Sequence, residues 1–160
     1  MNDRARVPFA LIGVLLVVSS VTLTATAGYH DPEHTPAVDR AMDGVTAESV
    51  SVLRGAADNA ATAAARSPVT RPANTTAGRA LNESQPFRDA LRLRLYLTAK
   101  ERLEAVAFER GDVVATASLP PVESTTEGYR AAIDSVHLSR VGTDEAAIRV
   151  NIDGVTLTAT

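Results

Sequence analysis

Residues 86–112 read PFRDALRLRLYLTAKERLEAVAFERGD, and the fold depends on whether this stretch forms a helix or a strand. From Leu91 to Leu97 every second residue is a leucine, which is a strand pattern. A second pattern repeats at the period of one face of a helix. Its members are Phe87, Leu91, Leu95, Ala99, Leu103 and Val106. The two patterns overlap, so periodicity alone does not choose between them.

The ends of the stretch favour the helix. Pro86 suits the first turn of a helix, and Gly111 suits the position just after its end. We therefore predict a helix over residues 86–110. Leu93 and Leu97 give it a second apolar stripe, and a helix that is apolar on two sides needs two neighbours. We expect this helix to lie between another helix and a sheet.

Another helix is predicted upstream, over residues 37–66. Its seam positions follow alternating steps of four and three residues, which is a heptad pattern. They are Val38, Met42, Val45, Ser49, Val52, Ala56, Asn59 and Ala63. Alanines dominate the end of the seam, and such small side chains let a partner helix approach closely. Residues 67–85 are rich in turn formers and read as the loop between the two helices.

The C-terminal part of the chain alternates apolar and polar residues, as strands do. We predict strands over residues 112–119, 134–141, 146–152 and 155–160. Residues 124–133, STTEGYRAAI, fit a short turn or helix between the first two strands. We read the last three strands as an antiparallel meander with short turns. The predicted fold class is therefore α+β, with a helical hairpin packed on a small antiparallel sheet.

Composition limits the chemistry of this domain. The chain has 160 residues, a net charge of −3 and no cysteine, which leaves room for one modest domain without disulfides or thiolate metal sites. The mild negative charge gives no general attraction to nucleic acid.

We expect the basic residues of the predicted helix to pair with Glu101, with Glu104 and with acidic residues of the upstream helix. The basic residues are Arg88, Arg92, Arg94, Lys100 and Arg102, and the upstream acids are Asp39, Asp43, Glu48 and Asp58.

The chain contains no enzyme motif. Its serines and threonines lie in no nucleophile motif, and its glycines form no phosphate loop. His30, Asp31, Glu33 and His34 form a metal-like cluster, but no regular spacing fixes their geometry, and we read them as a polar connector. His137 is read as a solvent-facing residue of a strand. We therefore predict no enzymatic activity, no catalytic or metal site and no cofactor.

The N-terminus contains an uncharged apolar stretch, VPFALIGVLLVVSSVTLTATAGY, over residues 7–29. As a helix it is long enough to cross a bilayer, and Arg4 and Arg6 before it place the N-terminus in the cytoplasm. Three interpretations stay open. The stretch is a permanent anchor, a signal peptide cleaved after residues 25–27, or a pilin-type stem cut after Ala5.

A connector follows, and it bears on the pilin interpretation. Pro32 and Pro36 prevent the apolar helix from continuing as one rod, unlike an ordinary pilin stem. The chain therefore divides into residues 1–29 (cytoplasmic tip and transmembrane helix or signal peptide), residues 30–36 (connector) and residues 37–160 (extracytoplasmic α+β domain).

The loop over residues 67–85 contains two N-glycosylation sequons. Asn74 begins Asn-Thr-Thr and Asn82 begins Asn-Glu-Ser. In an exported chain both are possible glycosylation sites. The alternative is an unmodified solvated loop in which Ser84 caps the next helix.

The last predicted strand has the features of an interaction edge. Val155, Thr156, Leu157 and Thr158 include neither the proline nor the lysine that commonly protects a sheet edge, and the sequence stops soon after them. Such an edge can accept a strand from another chain through main-chain hydrogen bonds.

Four stretches carry a resemblance to a known family: RARVPFALIGVLLVVSS (4–20), PVTRPANTTAGRAL (68–81), PFRDALRLRLYLTAKERL (86–103) and GDVVATASLP (111–120). Together they resemble a haloarchaeal family of membrane-anchored surface proteins of unknown function that is associated with type IV pilus or Tad-like secretion systems. The resemblance implies a single-pass protein of the cell membrane with its C-terminus outside. It also implies a non-enzymatic function in which the partners are other membrane or surface proteins, a second copy included. The alternative function is an exported envelope ligand-binding module released by signal peptide cleavage.

Overall fold

The computed structural model describes residues 17–19, 36–141 and 147–160, and over these ranges it is an α+β fold, as predicted. Its helices are α1 (Pro36–Arg66), α2 (Thr76–Ala80), α3 (Pro86–Leu103) and α4 (Thr126–Asp134). Its strands are β1 (Val17–Ser19), β2 (Ala107–Arg110), β3 (Val113–Ser118), β4 (Val136–Val141), β5 (Ala147–Ile152) and β6 (Thr156–Ala159).

α1 is one unbroken helix that buries a single face. Its buried residues are Ala41, Val45, Ser49, Leu53, Ala56, Ala57, Ala60 and Ala64. The predicted seam follows this face in the first half of α1 and leaves it in the second. Asn59 and Ala63 are exposed, whereas Ala60 and Ala64 are buried. A straight helix does not keep step with a strict heptad repeat, so a seam drawn every 3.5 residues drifts off the buried face.

The helix predicted over residues 86–110 is wrong at its C-terminal end. α3 stops at Leu103, and the chain then forms β2, which pairs with β3 in an antiparallel hairpin. Gly111, at φ +63°, lies in the two-residue turn of this hairpin and is not the helix stop. A left-handed residue suits a tight β-turn as well as a helix end, so glycine alone does not separate the two. The ladder with β3 supplies the backbone hydrogen bonds that a longer helix would have made.

The segment predicted as a loop over residues 67–85 contains α2, which begins in the same way as α4. The Thr75 and Thr125 side chains each accept a hydrogen bond from the backbone N–H of a glycine three residues later, at 3.0 Å. A Cβ on Gly78 would lie 2.0 Å from the Ala73 carbonyl oxygen, and one on Gly128 would lie 2.3 Å from that of Glu123. The sequence Thr-Thr-x-Gly thus builds the same capped helix start twice.

The strands form two three-stranded sheets, not one meander. One sheet has the order β1-β5-β4, and the other has the order β2-β3-β6. β4 and β5 pair as a hairpin, but β6 leaves β5 and pairs antiparallel with β3. Gly154, at φ +83°, lies between β5 and β6 where the chain passes from one sheet to the other. The predicted β5–β6 hairpin is therefore wrong, because strand pairing here is decided by distant neighbours.

The predicted membrane helix falls mostly outside the described residues. Of residues 7–29 the structure describes Val17–Ser19, which form β1 and pair in parallel with Ile148, Arg149 and Val150 of β5. At these three residues the structure has a strand where a helix was predicted, and short apolar runs rich in valine fit either conformation. None of the helices in the described ranges has the length and apolarity needed to span a bilayer.

The core lies where α1 and α3 pack against each other and onto the sheets. Leu91 and Leu95 of α3 meet Ala57 of α1, and the same apolar contact includes Leu138 of β4 and Val150 of β5. α3 also contacts α4, so it has neighbours on several sides, as its second apolar stripe predicted. Leu93 of that stripe is buried, and Leu97 remains exposed.

Candidate functional site: the edge of β6

β6 lies at the edge of its sheet, and its hydrogen-bond pattern shows which backbone groups face outward. Val114 and Thr160 exchange two backbone hydrogen bonds of 2.9 and 3.0 Å. In an antiparallel ladder such hydrogen-bonded pairs alternate with pairs that make no bonds between them. The register then makes Thr116–Thr158 and Ser118–Thr156 the next bonded pairs.

It follows that the backbone N–H and C=O groups of Leu157 and Ala159 point away from β3. In the described part of the chain no strand pairs with this side of β6. The side chains of Leu157 and Ala159 pack on the core, and the side chains of Thr156 and Thr158 lie on the solvent face. The outward backbone groups of Leu157 and Ala159 are therefore available to pair with another strand. That is the arrangement to which an extended segment adds as a further strand.

Two of the other three sheet edges in the described ranges carry protective features that β6 lacks. Arg88 of α3 donates a hydrogen bond of 3.2 Å to the Leu138 carbonyl oxygen of the edge strand β4. The edge strand β2 carries two exposed charges, Glu109 and Arg110. Charged side chains at an edge oppose strand addition. β6 has no charged residue, and neither has the three-residue strand β1 at the edge of the other sheet, so these two of the four edges lack charged side chains.

The four residues predicted as the interaction edge are not equivalent in the structure. Thr156, Leu157 and Thr158 lie in β6, whereas Val155 precedes the strand and is buried. Of the three strand residues, only Leu157 directs its backbone groups outward. Leu157 differs from its neighbours because hydrogen-bonded and non-hydrogen-bonded pairs alternate along the ladder with β3, and the sequence does not show where each kind of pair falls.

Both sequon asparagines lie on the surface. Asn74 is exposed just before α2, and Asn82 is exposed in the segment between α2 and α3. The Asn82 Oδ1 atom accepts hydrogen bonds from the backbone N–H of Ser84 at 2.9 Å and from its hydroxyl at 2.7 Å. Ser84 does not cap α3, whose N-cap position is occupied by Gln85 without a side-chain bond.

The histidines give no metal site within the described ranges. His137 is exposed, as predicted, and its Nε2 atom lies 2.9 Å from the Asp153 Oδ2 atom. The described residues contain no group of three His, Cys, Asp or Glu side chains that could hold a metal ion. The cluster of His30, Asp31, Glu33 and His34 lies outside the described residues.

The basic residues of α3 do not pair with acids of α1 in the described part of the chain. Arg92 faces Asp89 at 3.6 Å and Lys100 pairs with Glu104, both within α3 or at its end. Arg94 instead donates to the Ser67 carbonyl oxygen at 3.3 Å. The four acids of α1 are exposed, whereas α3 packs on the buried alanine face of α1. The expected pairing between the helices is therefore wrong, because the charges lie on the solvent side of α1.

A polar cleft between α2, α3 and α4 was not predicted. Its volume is about 440 Å³. It is lined by the apolar residues Ala80, Leu81 and Ile133 and by the polar residues Asn82, Gln85, Asp89, Arg92, Arg130 and Asp134. These residues come from three separate stretches of sequence, and none of the stretches contains a binding motif. The cleft therefore could not be predicted from the sequence, because it is formed by the packing of the three helices.

With two small sheets packed on a pair of helices, the described part of the chain is an α+β domain. The chain belongs to a family of unknown function, DUF7286, whose model matches residues 1–160. No curated protein matches the chain, and no solved structure matches it.

Proposed function

We propose that this protein is a single-pass, membrane-anchored component of the cell surface that acts by binding other proteins and not by catalysis. In the anchored state that we propose, residues 7–29 form the membrane helix, so Val17–Ser19 leave their pairing with β5, and Arg4 and Arg6 keep the N-terminus in the cytoplasm. Residues 37–160 are then the extracytoplasmic domain. The resemblance to haloarchaeal surface proteins supports a place beside a type IV pilus or Tad-like secretion system.

The observation that carries this proposal is the unprotected edge of β6. Its outward backbone groups, at Leu157 and Ala159, offer the donors and acceptors of two residues to an added strand. Main-chain pairing of this kind supplies affinity, and the flanking side chains supply selectivity. The partners are other membrane or surface proteins, a second copy of this chain included.

Membrane fractionation of the full chain followed by intact-mass measurement tests the anchor. We expect the protein in the membrane fraction with residues 7–29 intact. Soluble protein that begins at Gly28 would contradict the anchor and support the alternative, an exported ligand-binding module released by signal peptide cleavage. A new N-terminus at Arg6 would instead support a pilin-type stem.

Two substitutions at one position test the β6 edge. Leu157→Pro removes an outward-facing N–H, whereas Leu157→Val keeps it and changes a similar amount of side-chain packing. We expect chemical cross-linking in membranes to yield complexes with the native chain and with Leu157→Val but not with Leu157→Pro. Thr156→Pro is a different case, because that N–H bonds to β3 and its loss should weaken the sheet itself. Equal cross-linking of the Leu157→Pro and Leu157→Val variants, with unchanged circular dichroism, would show that partners do not use this edge.

A further inference from the structure

The cleft between α2, α3 and α4 holds two opposite charges that do not neutralise each other. Arg130 and Asp134 lie one turn apart on α4, and both line the cleft. Opposite charges at this spacing on a helix commonly pair. Here neither forms an ion pair with any residue in the described part of the chain. Arg130 instead donates a long hydrogen bond of 3.4 Å to the Arg79 carbonyl oxygen.

Asp134 is exposed at the C-terminal end of α4 and has no basic neighbour in that turn. It is the last residue of α4, where the helix presents the negative end of its dipole, and the last turn of α4 has no basic residue. A carboxylate at a helix C-terminus is destabilised by that dipole, and a positive group beside it relieves the repulsion. A bound cationic group would therefore gain from both Asp134 and the α4 carbonyls.

Arg92 of α3 lies on the opposite wall of the cleft, and its guanidinium group is available to an anion. Asp89, only 8% exposed, is already engaged, because its Oδ2 atom accepts the Asn82 N–H at 3.0 Å and its Oδ1 atom faces Arg92 at 3.6 Å. Arg92 makes no closer polar contact among the described residues, and its buried Nε atom has no hydrogen-bond partner there. A guanidinium carries five donors, and because the Nε donor is buried, the terminal nitrogens of Arg92 are the ones that remain for an acceptor in the cleft.

The charge balance of the cleft disfavours simple ions. A phosphate or sulfate would meet two carboxylates, and a metal ion or simple amine would meet two guanidinium groups. A ligand with a carboxylate and an ammonium group satisfies both sets. Of the apolar lining residues, Ala80 and Ile133 are only 5% and 4% exposed, so the partly buried Leu81 offers the apolar surface beside which an aliphatic side chain can lie.

We propose that this cleft binds a small zwitterion of the amino-acid type that carries an aliphatic side chain. The ligand carboxylate lies at Arg92 and Arg130, its ammonium lies at Asp134, and its side chain lies against Leu81. The volume of the cleft lies within the range of small-molecule sites. This site goes beyond the proposed function, because it uses no residue of β6 and does not depend on a membrane anchor.

Isothermal titration of the purified full chain in detergent with three matched probes tests the proposal. The probes are leucine, N-acetylleucine, which lacks the ammonium charge, and leucinamide, which lacks the carboxylate. We expect leucine to bind and each analogue to bind about tenfold more weakly or worse, since each loses one charge-assisted contact. No binding of leucine at millimolar concentration, or equal binding of all three probes, would overturn the proposal. If inorganic phosphate competes with leucine and leucinamide does not bind, the proposal is also overturned, because these results would indicate a simple anion site.

Variants assign each charge to its partner. Asp134→Asn should abolish the advantage of leucine over N-acetylleucine, and Arg130→Gln, which leaves Arg92 in place, should reduce its advantage over leucinamide. Matched controls are Asp58→Asn and Arg54→Gln, which change exposed residues of the same types on α1. We expect both controls to bind all probes like the native chain. Leucine binding that survives unchanged in both cleft variants, each with a native thermal melt, would place the ligand elsewhere and overturn the assignment.

Discussion

Gly44 of α1 lies against the aromatic ring of Phe108 of β2, so closely that a Cβ atom on Gly44 would fall 2.6 Å from the ring carbons Cε1 and Cζ. Real carbon atoms do not approach to that distance without a shift of one partner. The glycine therefore sets how near the β2–β3 hairpin can come to α1. Its place inside a long helix is explained by this contact and not by any break in the helix.

We expect Gly44→Ala to destabilise the domain. In a free helix the change would stabilise by up to about 1 kcal/mol, but here it forces Phe108 and β2 to move, at a cost of about 1–3 kcal/mol. Chemical denaturation should show a net loss of stability. Gly55→Ala is the control, because its Cβ would meet only the Arg102 Nη1 atom, at the end of a flexible side chain, at 3.0 Å, and we expect it to be neutral or stabilising. If the ring is responsible, adding Phe108→Leu to Gly44→Ala should recover part of the loss.

Two adjacent alanines test which face of α1 is buried. Ala64 is 3% exposed, whereas its neighbour Ala63 lies in solvent. Ala64→Asp should cost several kcal/mol, because it buries a carboxylate among apolar side chains. Ala63→Asp experiences almost the same helix dipole and should change the free energy of unfolding by about 0.5 kcal/mol or less. Denaturation curves that rank the two variants in the opposite order would support the heptad seam drawn from the sequence.

The shared start of α2 and α4 predicts the effect of removing a cap. Thr125→Ala should lower stability by about 1 kcal/mol, since the Gly128 N–H loses its acceptor. Thr125→Ser keeps the hydroxyl and should behave nearly like the native chain. Gly128→Ala should be worse than either, because its Cβ would meet the Glu123 backbone oxygen, which cannot swing aside. Thermal melts of the three variants check this order, and equal melts for the Ala and Ser variants would show that the cap contributes nothing.

Tyr96 predicts how stability changes at high pH. Its hydroxyl donates to the Pro120 carbonyl oxygen at 3.0 Å, and burial raises the pKa of Tyr96 above its ordinary value of 10.0. Above pH 10 the unfolded chain loses this proton before the folded chain does, so the Tyr96 contribution is complete below pH 10 and declines as the pH rises further. Tyr96→Phe should cost about 1 kcal/mol at pH 7, the usual contribution of one hydrogen bond.

The pH series supplies the check on this assignment. The stability difference between the native chain and Tyr96→Phe should shrink as denaturation is measured at increasing pH above 10. Tyr129→Phe serves as a control, since Tyr129 is only partly buried on the surface helix α4. A native-minus-variant difference that stays constant to the highest pH would show that Tyr96 is not the group responsible.

Several local elements could be predicted from the sequence, because their signals lie in residues close to one another in the chain. The apolar period and Pro86 predicted the start of α3, and the alternation in residues 146–152 predicted a strand where β5 lies. One further local signal in the sequence indicates helix starts that were not predicted. The repeated Thr-Thr-x-Gly would have predicted the starts of α2 and α4, since a threonine cap and its N–H partner lie three residues apart.

Of the two candidate sites, one could be predicted in part from the sequence and the other could not. The absence of proline and charge in residues 155–158 was enough to predict an exposed edge. It was not enough to separate Leu157 from its neighbours, because the direction of each backbone group depends on the register with β3. The cleft could not be predicted at all. Arg92 and Arg130 are thirty-eight positions apart in the sequence and face one cleft only because α3 and α4 pack together.

Tertiary structure alone decided where α3 ends, which strand β6 joins and which alanines of α1 are buried. Residues 104–110 were predicted as the end of a helix, and the ladder with β3 makes residues 107–110 a strand instead. β6 follows β5 directly but pairs with β3, whose residues lie about forty positions earlier in the sequence. The reason is common to all three cases. Short segments differ little in free energy between their alternative conformations, and burial against a distant neighbour contributes more free energy than that difference, so it selects one of them.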